Sequence, residues 1–315
     1  MSKIVVLEDV TKNYGNKIAV DQITVDFEEG KITGFLGLNG AGKTTTMKII
    51  TTYFKPTSGK VFVNNINALE NPYEVRKLIG YLPENFPIYE NLTVLDFLRF
   101  AASAKDIDKD KVEEEVEKVV KMVGLENYKN NFLRELSKGY KQRVGIAQAI
   151  IGEPKVIILD EPTQGLDPAQ IVEIRNLIKQ LSKNRTIILS THIMQEVEAI
   201  CDNVVIIHQG KIKASDKIEN LKEKVSEITV EYLFDQSLIK SKQQQIKEVL
   251  SRYDINDSNI KFEQEVCRIK ISKDLESEIE KINADFIKNE IFFRYVNKHV
   301  LTMEDLFLKI IQDNN

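Results

Sequence analysis

With 315 residues, 42% of them hydrophobic and 29% charged, the chain has the make-up of an ordinary globular protein of about two domains. Its formal net charge of -4, with lysines interleaved among acids, offers no basic field, so no nucleic-acid partner is expected. The widely separated Cys201 and Cys267 signal neither a disulfide framework nor a zinc site, and both read as packing thiols. The opening Met1-Ser2-Lys3-Ile4 lacks a long apolar run, and no later segment approaches the ~18 apolar residues of a membrane span, so a cytosolic chain is expected.

Residues 4 to 36 alternate β-rich runs, Ile4 to Val10, Gln22 to Phe27 and Lys31 to Leu36, with turns at Tyr14-Gly15-Asn16 and Glu28-Glu29-Gly30. This predicts a small sheet leading into Gly37-Leu38-Asn39-Gly40-Ala41-Gly42-Lys43-Thr44-Thr45, where glycines let successive N–H groups point inward. Lys43 adds a positive charge and Thr44 a hydroxyl for Mg²⁺, which makes the loop a nest for a triphosphate. A buried strand before it and a helix from Lys43 to Thr52 after it supply the order such a loop needs. Tyr14, in a turn upstream, either packs or stacks on a base.

Pro56-Thr57-Ser58-Gly59 turns the chain into the strand Lys60 to Asn64. Asn71-Pro72 opens a short helix through Lys77, and Leu78 to Glu84 is a strand ending in a proline-stiffened loop that leaves Glu84 exposed. Thr93 to Ala104 and Lys111 to Val123 are helical, with charges covering the second. Ser137 is placed as the N-cap of a helix whose apolar positions Tyr140, Val144, Ala147 and Ile151 share one face. Its start, with Gly139 and nearby lysines, is an anion site or simply a capped helix.

Val156 to Asp160-Glu161 is a continuous apolar run closed by two carboxylates, the pattern of a central parallel strand whose carboxyl end meets a ligand. Asp160 would hold Mg²⁺ through water, and Glu161 would polarise an attacking water. Asp167-Pro168 caps a helix buried along Ile171, Ile174, Leu177 and Leu181, and Thr186 to Ser190 is a further strand delivering Thr191-His192 to the same side. Of the three histidines, only His192 stands where it would reach a terminal phosphate; His208 and His299 read as structural.

Ala214 to Ser226 reads as a charged, helical connector. Beyond it a strand at Glu227 to Phe234, a helix at Ser241 to Tyr253 and paired strands at Ile260 to Phe262 and Val266 to Ile271 are predicted. A helix at Leu275 to Lys288, a strand at Ile291 to Val296 and a last helix at Thr302 to Ile311 follow. The βαββαβ order predicts a ferredoxin-like two-layer unit without a catalytic constellation, structural or regulatory in role.

Over roughly residues 3 to 215 this order of motifs resembles the ATP-binding subunit of ABC transporters. The resemblance implies an α/β P-loop ATPase with an antiparallel β subdomain, a parallel-sheet core and a helical subdomain at about 85–150. The expected divisions are 1–215 for this domain, 216–226 for the connector and 227–315 for the C-terminal α+β domain. It places ATP against Tyr14 and the Walker A loop, with Asn39, Gly40, Ala41, Gly42, Lys43, Thr44 and Thr45 as binding residues. Leu136 to Gln142 takes the place of the family signature, with Ser137 and Gly139 retained; Asp160 is the Walker B aspartate, Glu161 the catalytic base and His192 the switch histidine. Gly165-Leu166-Asp167 falls at the dimer-contacting loop.

Lys138 and Tyr140 replace a glycine and the glutamine of the usual signature, and Leu82-Pro83-Glu84 stands where a Mg²⁺-contacting glutamine is normal. Both variants, and the closing Leu301 to Leu308, resemble ATPases that serve ABC-2-type exporters. The implied assembly is a head-to-tail homodimer with ATP and Mg²⁺ between the copies, held on the cytoplasmic face of the membrane by a separate integral-membrane permease. Thr44, Asp160 and Glu84 are the expected metal contacts. Non-transport members of the class, in translation or DNA repair, usually carry two cassettes or a long coiled-coil insertion, and this chain has neither. An importer ATPase with a regulatory C-terminal domain and a nucleotide-gated interaction module are the other readings, and Glu161 argues against the last.

Overall fold

A computed structural model describes residues 2–224, 227–272, 277–300 and 302–312, and the chain divides into two compact units, Met1–Ile218 and Glu219–Asp313. The first begins with two long strands, β1 (Lys3–Tyr14) and β2 (Lys17–Glu28), followed by β3 (Ile32–Leu36), α1 (Lys43–Ile50), β4 (Ser58–Val63) and β5 (Ile66–Asn67). Next come α2 (Pro72–Leu78), β6 (Ile79–Leu82), α3 (Val94–Ala104), α4 (Val112–Val123), α5 (Lys138–Ile150) and β7 (Val156–Asp160). The unit closes with α6 (Pro168–Leu181), β8 (Thr186–Thr191), α7 (Met194–Ile200), β9 (Asn203–His208) and β10 (Lys211–Lys217).

Two sheets organise it: an antiparallel one in the order β2-β1-β4-β5, and a six-stranded one in the order β10-β9-β3-β8-β7-β6. In the second, β9, β3, β8, β7 and β6 run parallel and β10 is an antiparallel edge. Strands β3, β7 and β8 are buried at every residue, as continuous apolar runs in a sheet covered on both faces must be. Their shared direction brings three carboxyl ends together, with Leu36 opposite Thr191 and Asp160 opposite Ser190.

Helices α3, α4 and α5 pack through Val94, Leu98, Val116, Val120, Val144 and Ala147 into the core on one side of the parallel sheet. Two of the three predicted caps are present: Ser137 Oγ caps α5 by accepting from the Tyr140 N–H at 3.4 Å, and Asp167 Oδ1 caps α6 through the Gln170 N–H at 2.9 Å. Asn71 stands at the N-cap of α2 but makes no side-chain bond there, so Pro72 alone marks that start.

Several boundaries differ from the sequence reading. Tyr14 is the last residue of β1, paired with Lys17, and the turn is confined to Gly15-Asn16. Strand β3 does not extend the small antiparallel sheet but lies inside the parallel one, because its neighbours, β8 and β9, come from far along the chain. Ala214 to Lys217 is strand, not helical connector: Gln209 and Gly210, at φ 47° and 78°, turn the chain back so that β10 pairs with β9. On α6, Ile171 is only half-buried and Ile178 takes the buried place beside Ile174, Leu177 and Leu181.

After α8 (Ile218–Lys224) the second unit contains β11 (Glu227–Phe234), α9 (Gln236–Ser251), β12 (Ile260–Glu263), β13 (Val266–Ser272), α10 (Ile279–Lys288), β14 (Phe293–Val300) and α11 (Met303–Gln312). The predicted start of α10 at Leu275, and Leu301, lie outside the described residues. The sheet order β12-β13-β11-β14, antiparallel throughout, is that of a ferredoxin-like fold. Alternate residues of β11, Ile228, Val230, Tyr232 and Phe234, enter a core with Ile246 and Leu250 of α9 and Phe286 of α10. The Tyr232 ring meets Phe286 edge-on at 5.1 Å, and its hydroxyl donates to Asn283 Oδ1 at 2.7 Å.

Candidate active site

The apolar run of β3 ends at Leu36, and the chain then bends through Gly40 and Gly42, at φ 79° and 113°. A Cβ at Gly42 would lie 2.7 Å from the Ala19 carbonyl oxygen, so no other residue fits that turn. Helix α1 starts immediately afterwards without a side-chain cap, leaving its first N–H groups and the positive end of its dipole for an anion. An open cavity of about 370 Å³ lies there, walled by Tyr14, Asn39, Gly40, Gly42 to Thr45, Glu84, Glu161 and Gln164, with Lys17 and Ala19.

At its base, Lys43 Nζ donates to the Gly37 carbonyl at 2.8 Å and forms an ion pair with Glu161 Oε1 at 3.2 Å. Both side chains are over 90% buried, where an ion pair attracts far more strongly than in water. The other carboxylate oxygen of Glu161 meets His192 Nδ1 at 2.9 Å. Glu161 holds this position with φ 50°, a left-handed conformation unusual for a glutamate, and its N–H is shared between the carbonyl and the hydroxyl of Ser190, each at 3.1 Å.

Asp160, fully buried one residue earlier, accepts from the Ser190 hydroxyl and, at 3.3 Å, from Thr44 Oγ1. Burial raises its carboxyl above the usual carboxylate value; the Ser190 and Thr44 hydroxyls oppose that shift, and the Glu84 and Glu161 charges add to it. Its Oδ2 and the Tyr81 hydroxyl are buried without a hydrogen-bond partner among the described residues. Burial likewise raises the Tyr81 phenol, reinforced by Asp160. An orphaned carboxylate oxygen beside a threonine hydroxyl suits a hard divalent cation, which would relieve both the orphan and the raised carboxyl. No group of three or more His, Cys, Asp or Glu side chains that could hold a metal ion is found among the described residues.

Tyr14 is 47% exposed on the cavity rim, backed by the edge of Phe54 at 6.0 Å and by Lys12 Nζ at 5.3 Å from its ring centre. Ala41 is not on the wall; its side chain is buried in the core beneath the loop. Ser137 and Gly139 do not line this cavity either: Ser137 is exposed at the start of α5, while Gly139 is covered by the side chain of Gln170.

Sequence reasoning missed Ser190, which bonds both Asp160 and the Glu161 backbone, and Gln164 on the wall. It also missed a buried trio: Glu196 of α7 accepts from the Thr163 hydroxyl through Oε1 and from the Thr191 hydroxyl, at 2.7 Å, through Oε2. Only the position of Ser190 at the end of an apolar strand, beside a known ligand-facing end, gave a signal; the rest depends on contacts between distant segments.

Residues 20–164 match the family model described as ABC transporter. The chain is 35% identical over 313 residues to the bacitracin transport ATP-binding protein BcrA of Bacillus licheniformis, covering 99% of this chain and 98% of that protein. Among solved structures, the ATP-binding subunit of an ABC transporter aligns with a TM-score of 0.63 at 32% identity, over 70% of this chain and 92% of its own. A dimeric ATP-binding cassette in a post-hydrolysis state, bound to ADP and Pi, aligns with a TM-score of 0.62 at 26% identity, over 68% and 99%. A glycine nest at a helix start, a buried lysine beside two strand-end carboxylates and full-length likeness to such proteins lead to one conclusion: this chain belongs to the ABC transporter ATP-binding proteins and is an ATPase.

Proposed function

We propose that two copies close head-to-tail around ATP and that this closure powers export through a separate ABC-2-type membrane permease. The observation that carries the reading is the division of the site. Lys43, Thr44 and Glu161 wall one cavity, with Asp160 bonded to Thr44 and His192 to Glu161 behind them, while the anion-ready start of α5 at Ser137 stands apart from it. A second copy is the simplest source of the missing wall.

In this reading the loop N–H groups from Asn39 to Thr45 and the Lys43 ammonium hold the phosphates, and Tyr14 stacks on the base. Thr44, Asp160 and Glu84 would hold Mg²⁺, which supplies charge neutralisation for the phosphoryl oxygens. Incoming phosphates compete with Glu161 for Lys43, freeing the carboxylate to take a proton from the attacking water. His192 keeps hold of Glu161 and faces the terminal phosphate, and Ser137 with Gly139 of the neighbouring copy closes over it. None of the described helices is long and apolar enough to cross a membrane, so the membrane step belongs to the permease, with this subunit docked on its cytoplasmic face. Full-length similarity to a bacitracin transport protein supports a transport role over translation or repair.

The purified chain carrying Glu161→Gln is expected to elute as a monomer alone and as a dimer with ATP and Mg²⁺. Elution as a monomer with saturating nucleotide overturns the closure mechanism. Tyr14→Ala is expected to weaken ATP binding by about 0.5–1.5 kcal/mol, the worth of an aromatic stack. Titration with a fluorescent ATP analogue checks this, and unchanged affinity removes Tyr14 from the site.

A further inference from the structure

We propose that Glu196 is a positioning residue for hydrolysis, a buried carboxylate that sets the relative placement of Glu161, His192 and the loop reaching Asp167. The inference rests on the assignment of Glu161 as the base. Glu196 is 2% exposed on α7, and its two oxygens are taken by two hydroxyls from different segments, Thr163 and Thr191. A carboxylate costs a great deal to bury, and here no basic side chain pairs with it among the described residues. Two hydroxyl donors stabilise the charge only if both stay in place, so the arrangement is a geometric constraint as much as a stabilising one.

The segments it joins are those that carry the chemistry. Thr191 immediately precedes His192, and its oxygen also accepts from the Ile193 N–H at 3.1 Å, which fixes the bend by which the chain leaves β8. Thr163 lies two residues after Glu161, inside consecutive turns closed by Gln164 N–H to the Glu161 carbonyl and Leu166 N–H to the Thr163 carbonyl, both at 3.2 Å. Those turns end at Asp167, the cap of α6. Glu161 itself sits in a left-handed backbone, a conformation that persists only where its surroundings over-determine it. Ser190 supplies one such restraint from β8. Glu196 supplies the second, through Thr163 and Thr191, with a side chain that does not line the cavity.

The test compares Glu196→Gln, Thr191→Val and Thr191→Ser in the full chain by steady-state ATP hydrolysis, with thermal melts as the control for folding. Glu196→Gln keeps the shape but cannot accept from both hydroxyls, and is expected to lower kcat by roughly tenfold, within the range that displaced catalytic groups cause, with KM for ATP near wild type. Thr191→Val is expected to lose a similar factor, and Thr191→Ser, which keeps the hydroxyl, to recover most of it. In a Glu161→Gln background the Glu196 substitution is expected to add less than about a twofold loss, since residues acting through one another are not additive. If Glu196→Gln does not fold, the valine and serine pair carries the decision. Wild-type kcat in Glu196→Gln, equal loss in the valine and serine variants, or a full further loss in the Glu161→Gln background overturns the proposal. Undiminished turnover in Glu161→Gln alone marks instead the failure of the catalytic assignment beneath it.

Discussion

Glu161→Gln is expected to lower ATP turnover by about 10²- to 10⁴-fold, the usual worth of a general base, while leaving ATP affinity close to wild type. The substituted amide has the size of the carboxylate and still reaches His192, which stands 2.9 Å from it, but it cannot accept a proton from water. Its carbonyl can also remain near Lys43, now without the full charge that holds the ammonium at 3.2 Å. Lys43 is therefore more available to phosphate in the variant, and binding should not weaken. Phosphate release measures the first quantity and equilibrium titration with nucleotide the second. Turnover at the wild-type rate would remove Glu161 from the chemistry.

Lys43→Ala acts twice, and the two effects separate by nucleotide. With ATP present, the loss of a charge-assisted bond to phosphate is expected to weaken binding by about 1.5–3 kcal/mol, roughly ten- to 150-fold in Kd. Without ATP, the alanine leaves Glu161 buried with only the His192 ring bonded to its carboxylate, and removing one partner of a buried pair costs about 3–5 kcal/mol. The contact with His192 should hold the loss toward the lower end of that range. Adding Glu161→Gln to Lys43→Ala removes the stranded charge, so the double variant is expected to be more stable than the single one in denaturant melts. Equal stability of the two would show that the buried pair contributes nothing in solution, and unchanged ATP affinity would count against the loop as the phosphate site.

What could be read from the sequence follows the range over which each feature is written. Helix starts at Ser137 and Asp167, the glycine bend into Lys43 and the apolar strands to Leu36, Asp160 and Ser190 are local patterns, and the structure places them as expected except that the last strand runs one residue further, to Thr191. The convergence of Lys43, Asp160, Glu161 and His192 followed from those strands sharing a direction. The sheet membership of β3 was not legible, because its partners lie more than 150 residues away in β8 and β9. Ala214 to Lys217 looked helical because its charges mask a period of two that only pairing with β9 makes plain. Ser190, Thr163 and Glu196 carry no motif; they matter through contacts about 30 residues apart, as between Thr163 and Glu196, which spacing alone does not reveal.

Position 161 meets two opposing physical demands. Its backbone, at φ 50°, is one that glycine or asparagine adopts with least strain, yet neither side chain could span from Lys43 to His192 as the glutamate does. An unstrained backbone and, in the proposed role of Glu161 as base, turnover therefore call for different residues at this position, and glutamate there holds local strain together with the carboxylate.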